Sequence, residues 1–264
     1  MLSMKDKVAV VTGGSGGIGE EIVRAFAEQG CRTVIADIAD GARLERELGE
    51  AALFFQCDVA DEDSVRSCVD AAMTRFGRID FVVNCAALQG QDQGADTSVT
   101  DWRRTFDVNV IGPMLLVRYA RPHLARTGGA VVNVTSISGK VAQAGRWSYP
   151  ASKAALLQVT RSMALDLSSD GIRVNSVSPG WTWTGEGMEK LGFTQEVWDQ
   201  VAAPFHMFGR AGNRREVANA VLFLCSDLAN WVNGADLAVD GGYCAMGPEA
   251  RPSALAALMK QRKT

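Results

Sequence analysis

Apolar residues along the chain alternate between two patterns. Short runs dense in Val, Ile, Leu and Phe occur at Val8 to Val11, Thr33 to Ala36, Leu53 to Cys57, Phe81 to Val83, Ala130 to Val134, Val174 to Val177 and Leu237 to Val239. Strands that are apolar without a polar face belong to a sheet covered on both sides. Between these runs lie Ile18 to Gln29, Ser64 to Phe76, Thr100 to Ala125, Tyr149 to Leu167 and Arg215 to Ser226, where apolar residues recur three and four apart, the period of a helix with one buried stripe. The alternation predicts a Rossmann-type α/β fold, a doubly wound parallel sheet of about seven strands with helices on both faces. Pro113 falls inside the stretch from Thr100 and predicts a kink there, because proline removes a backbone donor and crowds the preceding turn.

No internal repeat, low-complexity segment or Gly/Ser linker divides the 264 residues, so a single domain over 1–264 is expected. Two regions stand apart. Residues from about 181 to 210 carry Trp181, Trp183, Met188, Trp198 and Met207 between a strand and a helix, too long for a simple turn and suited to a substrate lid. A tail from about 247 to 264 ends polar and basic, with a neighbouring subunit as its expected contact.

Composition narrows the chemistry. A net charge of -3 without a Lys/Arg run gives no footprint for nucleic acid. No apolar run approaches the roughly 20 residues of a membrane span, and Met1 to Lys7 lack the apolar core of a signal peptide, so a cytoplasmic protein with a small-molecule partner is expected. Six scattered cysteines fit reduced thiols, and two histidines away from carboxylates or thiols leave no metal site to build. The chemistry must come from other side chains or an organic cofactor.

After the first strand comes Thr12-Gly13-Gly14-Ser15-Gly16-Gly17-Ile18-Gly19, running into a helix. Glycines there permit a tight turn and close approach of backbone to a pyrophosphate, which the helix N-terminal amides then face. Asp37 ends the second strand, where a dinucleotide fold places a carboxylate on the adenosine ribose hydroxyls. An acid there repels the 2'-phosphate of NADP by roughly 1 to 4 kcal/mol, depending on dielectric, and no Arg follows it, so the expected cofactor is NAD. The loop lacks the Gly-Lys-Ser/Thr ending of an ATP-binding loop. Gly13 to Gly17 also spells the G-x-S-x-G of a hydrolase nucleophile elbow, yet only twelve residues precede it, too few for the strands that supply an oxyanion hole.

Tyr149 and Lys153 open a long helix at a spacing of four, which puts both on one face. Together with Thr12 to Gly19, Asn84-Cys85-Ala86-Ala87, Asn109, Ser136 and Pro179-Gly180, in order and spacing, they resemble the short-chain dehydrogenase/reductase family from Lys5 to about Tyr243. The resemblance implies hydride transfer between NAD and a secondary alcohol or ketone, with Asn109, Ser136, Tyr149 and Lys153 as the catalytic set. Tyr149 would be the proton-transfer group, its phenol made more acidic by the Lys153 ammonium and the nicotinamide charge. Ser136 would hold the substrate oxygen, Lys153 the nicotinamide ribose, and Asn109 a water linking Lys153 to solvent. Cofactor contacts carried over by position are Gly13, Ser15, Gly17, Ile18 and Gly19 at the pyrophosphate and Asp37 at the ribose. Asp58 and Val59 fall at the adenine, Asn84 and Ala86 near the ribose, and Pro179, Gly180, Thr182 and Thr184 at the carboxamide.

The family's usual Asn-Asn-Ala-Gly is here Asn84-Cys85-Ala86-Ala87, and if the glycine needs a positive φ, Ala87 strains the turn. Family members are usually tetramers, so a homo-oligomer, tetramer or dimer, is expected. The pocket should lie over the carboxyl ends of the strands, between the segment after Ser136, Gln89 to Gln93 and the Trp-rich stretch, with Arg146 near Tyr149 as a candidate for a carboxylate. Polyol oxidation, ring-diol oxidation and 3-oxoacyl thioester reduction all use the same four catalytic positions. The alternative to an enzyme is an NAD-binding regulator that kept the fold without turnover.

Overall fold

The structure, a computed structural model, describes residues 4–247, apart from the side chain of Glu186 and the surroundings of Gly187. The expected tail beyond Gly247 lies outside the described residues. Strands β1 (Val8–Thr12), β2 (Arg32–Asp37) and β3 (Ala52–Gln56) alternate with helices α1 (Gly17–Glu28) and α2 (Ala42–Leu48). There follow α3 (Glu62–Phe76), β4 (Phe81–Asn84), α4 (Val99–Phe106), α5 (Gly112–Thr127), β5 (Ala130–Val134), α6 (Ser148–Leu167) and β6 (Arg173–Pro179). A short insertion of β7 (Thr182–Trp183), α7 (Glu186–Glu189), α8 (Gln195–Ala202) and β8 (Gly212–Asn213) precedes α9 (Arg214–Cys225) and β9 (Asp236–Val239).

Seven parallel strands form one sheet in the order β3-β2-β1-β4-β5-β6-β9. Alternate residues of the central strands feed two cores. Val11, Val83 and Val132 pack under Ile22, Phe26, Val217 and Val221 of α1 and α9. Val10, Val82 and Val131 pack under Val65, Val69, Leu116 and Leu124 of α3 and α5. The strands therefore lack a polar face because both of their faces are covered.

The chain runs outward from β1 to β3, then returns to lay β4 on the other side of β1. This reversal opens a crevice at the carboxyl ends of β1 and β4, where Thr12 pairs with Asn84. The glycine turn follows the first of these residues directly and the Asn84 segment follows the second.

The long helical stretch from Thr100 is broken. Asp107–Ile111 form a wider π turn between α4 and α5, and Pro113 lies in the first turn of α5. Four residues before it stands Asn109, whose carbonyl would take its α-helical bond from residue 113; proline has no N–H to give. The π turn thus falls at a predicted catalytic residue. Helix α2 is an addition to the sequence reading, hidden because only Leu44 of its seven residues is buried.

The lid region is built, with β7 paired to β8 and Trp181 stacked on Trp198 at 5.3 Å between ring centres. Phe205 lies 5.4 Å from Trp181, and Phe193 meets Trp198 edge-on at 5.5 Å. The aromatic residues therefore pack on one another while also walling the cleft. Among the described residues no helix is long and apolar enough to cross a membrane.

Candidate active site

A cleft of about 1280 Å³ runs across the carboxyl ends of the strands. Pockets for one small ligand occupy roughly 300 to 1,000 Å³, so this cleft has room for a dinucleotide and a second molecule. Gly13, Ser15, Gly16, Ile18, Gly19, Asp37, Asp58, Val59 and Ala86 line one half. Ser136, Tyr149, Lys153, Pro179, Gly180, Thr182 and Thr184 line the other.

The glycines of the turn have different tasks. A Cβ on Gly19 would lie 2.0 Å from the Gly13 carbonyl oxygen, and one on Gly13, at φ +67, would lie 2.9 Å from the Ala86 backbone. These two let backbone pack on backbone. A Cβ on Gly16 would meet nothing within 4 Å. Gly16 precedes α1 without a side-chain cap, so the first amides of that helix face open cleft, as an anion such as pyrophosphate requires. The residues present therefore fit a dinucleotide.

Asp37 braces this turn. Its carboxylate accepts the Ser15 N–H at 2.9 Å and the Ala39 N–H at 3.0 Å, and two oxygens retain acceptor sites for ribose hydroxyls. The cations lining the cleft among the described residues are Arg104, Arg146 and Lys153, none of them beside Asp37 in the chain. Arg24 and Arg43, on the flanking helices, are paired with Glu20 and Glu47. In the same half of the cleft, Asp58 pairs with Arg104 at 2.9 Å and accepts the Ala60 N–H.

Three predicted residues do not line the cleft. Asn84 is buried, its amide donating to Asn133 at 2.8 Å, and Gly17 sits at φ +54 beneath Thr184. Asn109 is fully buried: its oxygen accepts the Leu88 N–H, and its amide donates to the Leu88 carbonyl and to Ser152. That side chain clamps the loop after β4 to α6, so a water at this position would have to use the Asn109 backbone carbonyl that Pro113 leaves without its α-helical donor. Ala87 is not strained, because Asp6 is the only described non-glycine residue with positive φ.

Ser136 follows β5, and both it and the Tyr149 phenol line the cleft. Burial pushes the phenol above its usual range, and the Ser136 hydroxyl and the Arg146 charge pull it back. Lys153, four residues on along α6, stands beside the phenol. Its Nζ lies 5.7 Å from the Tyr149 ring centre and donates to the Val134 carbonyl at 2.8 Å, and burial pulls its pKa down to about 8. Burial likewise pushes the Cys85 thiol up to about 12, so this departure from the family pattern adds a neutral group.

Two supports were not singled out from sequence. Asp92 in the wall segment accepts the Tyr149 N–H, and buried His206 accepts the Trp181 N–H on Nε2 at 3.2 Å. Because Nε2 accepts, Nδ1 carries the hydrogen and donates it to the Ala202 carbonyl at 2.9 Å. The imidazole thus fixes α8 against the Pro179–Gly180 segment. Being one of two histidines was the only sequence signal for it.

Comparisons with known proteins agree with this geometry. A family profile described as enoyl-(acyl carrier protein) reductase matches residues 13–244. A cis-4-hydroxycyclohexanecarboxylate dehydrogenase of Sinomonas cyclohexanicum is 41% identical, covering 91% of this chain and 98% of its own. An L-fucose dehydrogenase of Bos taurus is 39% identical over 89% and 88% of the two chains. A meso-2,3-butanediol dehydrogenase of Serratia marcescens is 37% identical over 91% and 95%. With matches of this length and identity, the chain belongs to the short-chain dehydrogenase/reductase family and is an oxidoreductase of the alcohol dehydrogenase type.

Proposed function

We propose that the protein interconverts a secondary alcohol and a ketone with NAD as cofactor and Tyr149 as the proton-transfer group. The observation that carries this reading is the convergence of Ser136, Tyr149 and Lys153 at one end of a cleft whose other end is braced by Asp37. The bound nicotinamide supplies the acceptor or donor of hydride.

In the oxidative direction the substrate hydroxyl lies between Ser136 and Tyr149. Ser136 holds the oxygen, the Tyr149 phenolate takes its proton, and the C–O bond becomes C=O as hydride leaves the same carbon. Reduction reverses each transfer. Lys153 would pass the proton on to a water held by the Asn109 carbonyl, and Pro179, Gly180, Thr182 and Thr184 would hold the carboxamide side of the cleft. Asp37 favours NAD, because the cleft offers it no neighbouring cation for a 2'-phosphate.

The relatives named for a ring alcohol, a sugar and a diol support oxidation of a polyol or ring alcohol over reduction of a 3-oxoacyl thioester. The regulator without turnover has no observation in its favour. Six free thiols support a reducing compartment such as the cytoplasm, and exposed Leu165, Leu228 and Trp231 support a homo-oligomer. The test is a screen of nicotinamide reduction over polyols, ring alcohols and hydroxy acids with NAD and NADP. Turnover of a secondary alcohol with NAD is expected; turnover only with thioesters, or only with NADP, would contradict it.

A further inference from the structure

The substrate half of the cleft contains a guanidinium outside the Ser136, Tyr149 and Lys153 set. Arg146 lines the cleft, with its Cζ 5.0 Å from the centre of the Tyr149 ring. Of the three cations lining the cleft, Arg104 is paired with Asp58 and Lys153 donates to Val134. Arg146 has no carboxylate within ion-pair distance among the described residues. One of its N–H groups goes to the Gln89 side-chain oxygen at 3.2 Å, which leaves most of its five donors unused. Gln89 offers its oxygen in that contact, and its amide N–H groups have no hydrogen-bond partner among the described residues.

The wall formed by the lid is apolar, built from Met188, Leu191, Phe193 and Trp198. Water satisfies the half-buried guanidinium while the cleft is wet. A substrate that fills the space displaces that water and leaves the cation unpaired, unless the substrate brings its own anion. One guanidinium backed by one amide matches a planar, singly charged carboxylate; a phosphate dianion would retain a charge without a partner. The 5.0 Å separation from the Tyr149 ring also limits the spacing, since the anion and the reacting carbon must belong to one compact molecule.

We propose that Arg146, supported by Gln89, binds a carboxylate of the substrate, so that the enzyme acts on hydroxy acids or keto acids whose carboxylate lies a few bonds from the reacting carbon. This rests on the alcohol–ketone reading above. The test compares 4-hydroxycyclohexane carboxylate, its primary carboxamide, its phosphate-bearing counterpart and cyclohexanol as substrates of the full chain. The carboxylate should be preferred to the carboxamide. In Arg146→Met that preference should fall by roughly 10- to 150-fold, mainly through KM, as expected for losing a hydrogen bond to a charged group. Arg146→Lys should keep part of it.

An equal loss on acid and carboxamide would overturn the proposal and assign Arg146 to Tyr149 alone. Preference for cyclohexanol or for the phosphate would also overturn it while leaving the alcohol–ketone reading intact. No turnover of any alcohol would remove that reading and this one together.

Discussion

The backbone N–H of Tyr149 donates to the Asp92 carboxylate at 3.1 Å, tying the wall of the cleft to the helix that carries both Tyr149 and Lys153. Burial of Asp92 opposes its ionisation, but hydrogen bonds from the Trp147 and Tyr149 amides and from Thr97 outweigh it and hold the carboxyl below its usual range. The first turn of α6 is therefore positioned by a residue 57 places earlier in the chain.

Replacing this brace should show in a pH-dependent stability. Asp92→Ala is expected to lower unfolding free energy by about 0.5 to 2 kcal/mol at neutral pH, the range for losing a helix-cap acceptor. Because the folded-state pKa is depressed, the contribution is complete above the ordinary carboxylate range and is lost as pH falls from there through the lower folded-state value. Denaturant melts at pH 7 and below pH 4 should show the wild-type advantage shrinking in acid.

Lys153 sets function against stability. Its pKa of about 8, against an ordinary 10.5, means that the buried ammonium destabilises the folded chain by roughly 3 kcal/mol below pH 8. Between those two values the unfolded chain binds the additional proton, so raising the pH restores stability. Lys153→Met should melt several degrees higher than wild type at pH 7, with the gap closing towards pH 10.5. Its turnover should fall about 10²-fold or more, the lower end for losing a member of a proton-transfer pair.

The glycine turn gives a paired prediction. Gly19→Ala drives a methyl into the Gly13 carbonyl and should destabilise the fold. Gly16→Ala places its methyl in open cleft, so thermal stability should hold while the KM for NAD rises. Melting curves and cofactor titrations on both variants separate packing from ligand space.

Cofactor choice should follow Asp37. Asp37→Ser removes the charge that opposes a 2'-phosphate and should shift the NAD-over-NADP ratio of kcat/KM by between about 5-fold and 10³-fold towards NADP. Losing the brace on the Ser15 N–H should also raise the KM for NAD. Steady-state kinetics with both cofactors measures each effect.

Much of this architecture was legible because its strands are buried on both faces, leaving runs such as Val8–Val11 with no other explanation. The catalytic positions were legible through fixed spacing on short elements, as with Tyr149 and Lys153 on one helix face. What stayed hidden lacks period. Asp92 and His206 act from irregular segments through single hydrogen bonds, and α2 buries too little to show a stripe. Pro113 announced a break, but only the structure shows that it takes the form of a π turn around Asn109, whose amide is occupied by Leu88 and Ser152. The feared strain at Ala87 depended on a φ that sequence does not report.

The central claim is that the Tyr149 phenol moves the proton, and Tyr149→Phe tests it most directly. Turnover of the preferred alcohol should fall by about 10² to 10⁴, while NADH binding followed by fluorescence stays within a few-fold of wild type. Unchanged turnover in a variant that still binds NADH would contradict the account.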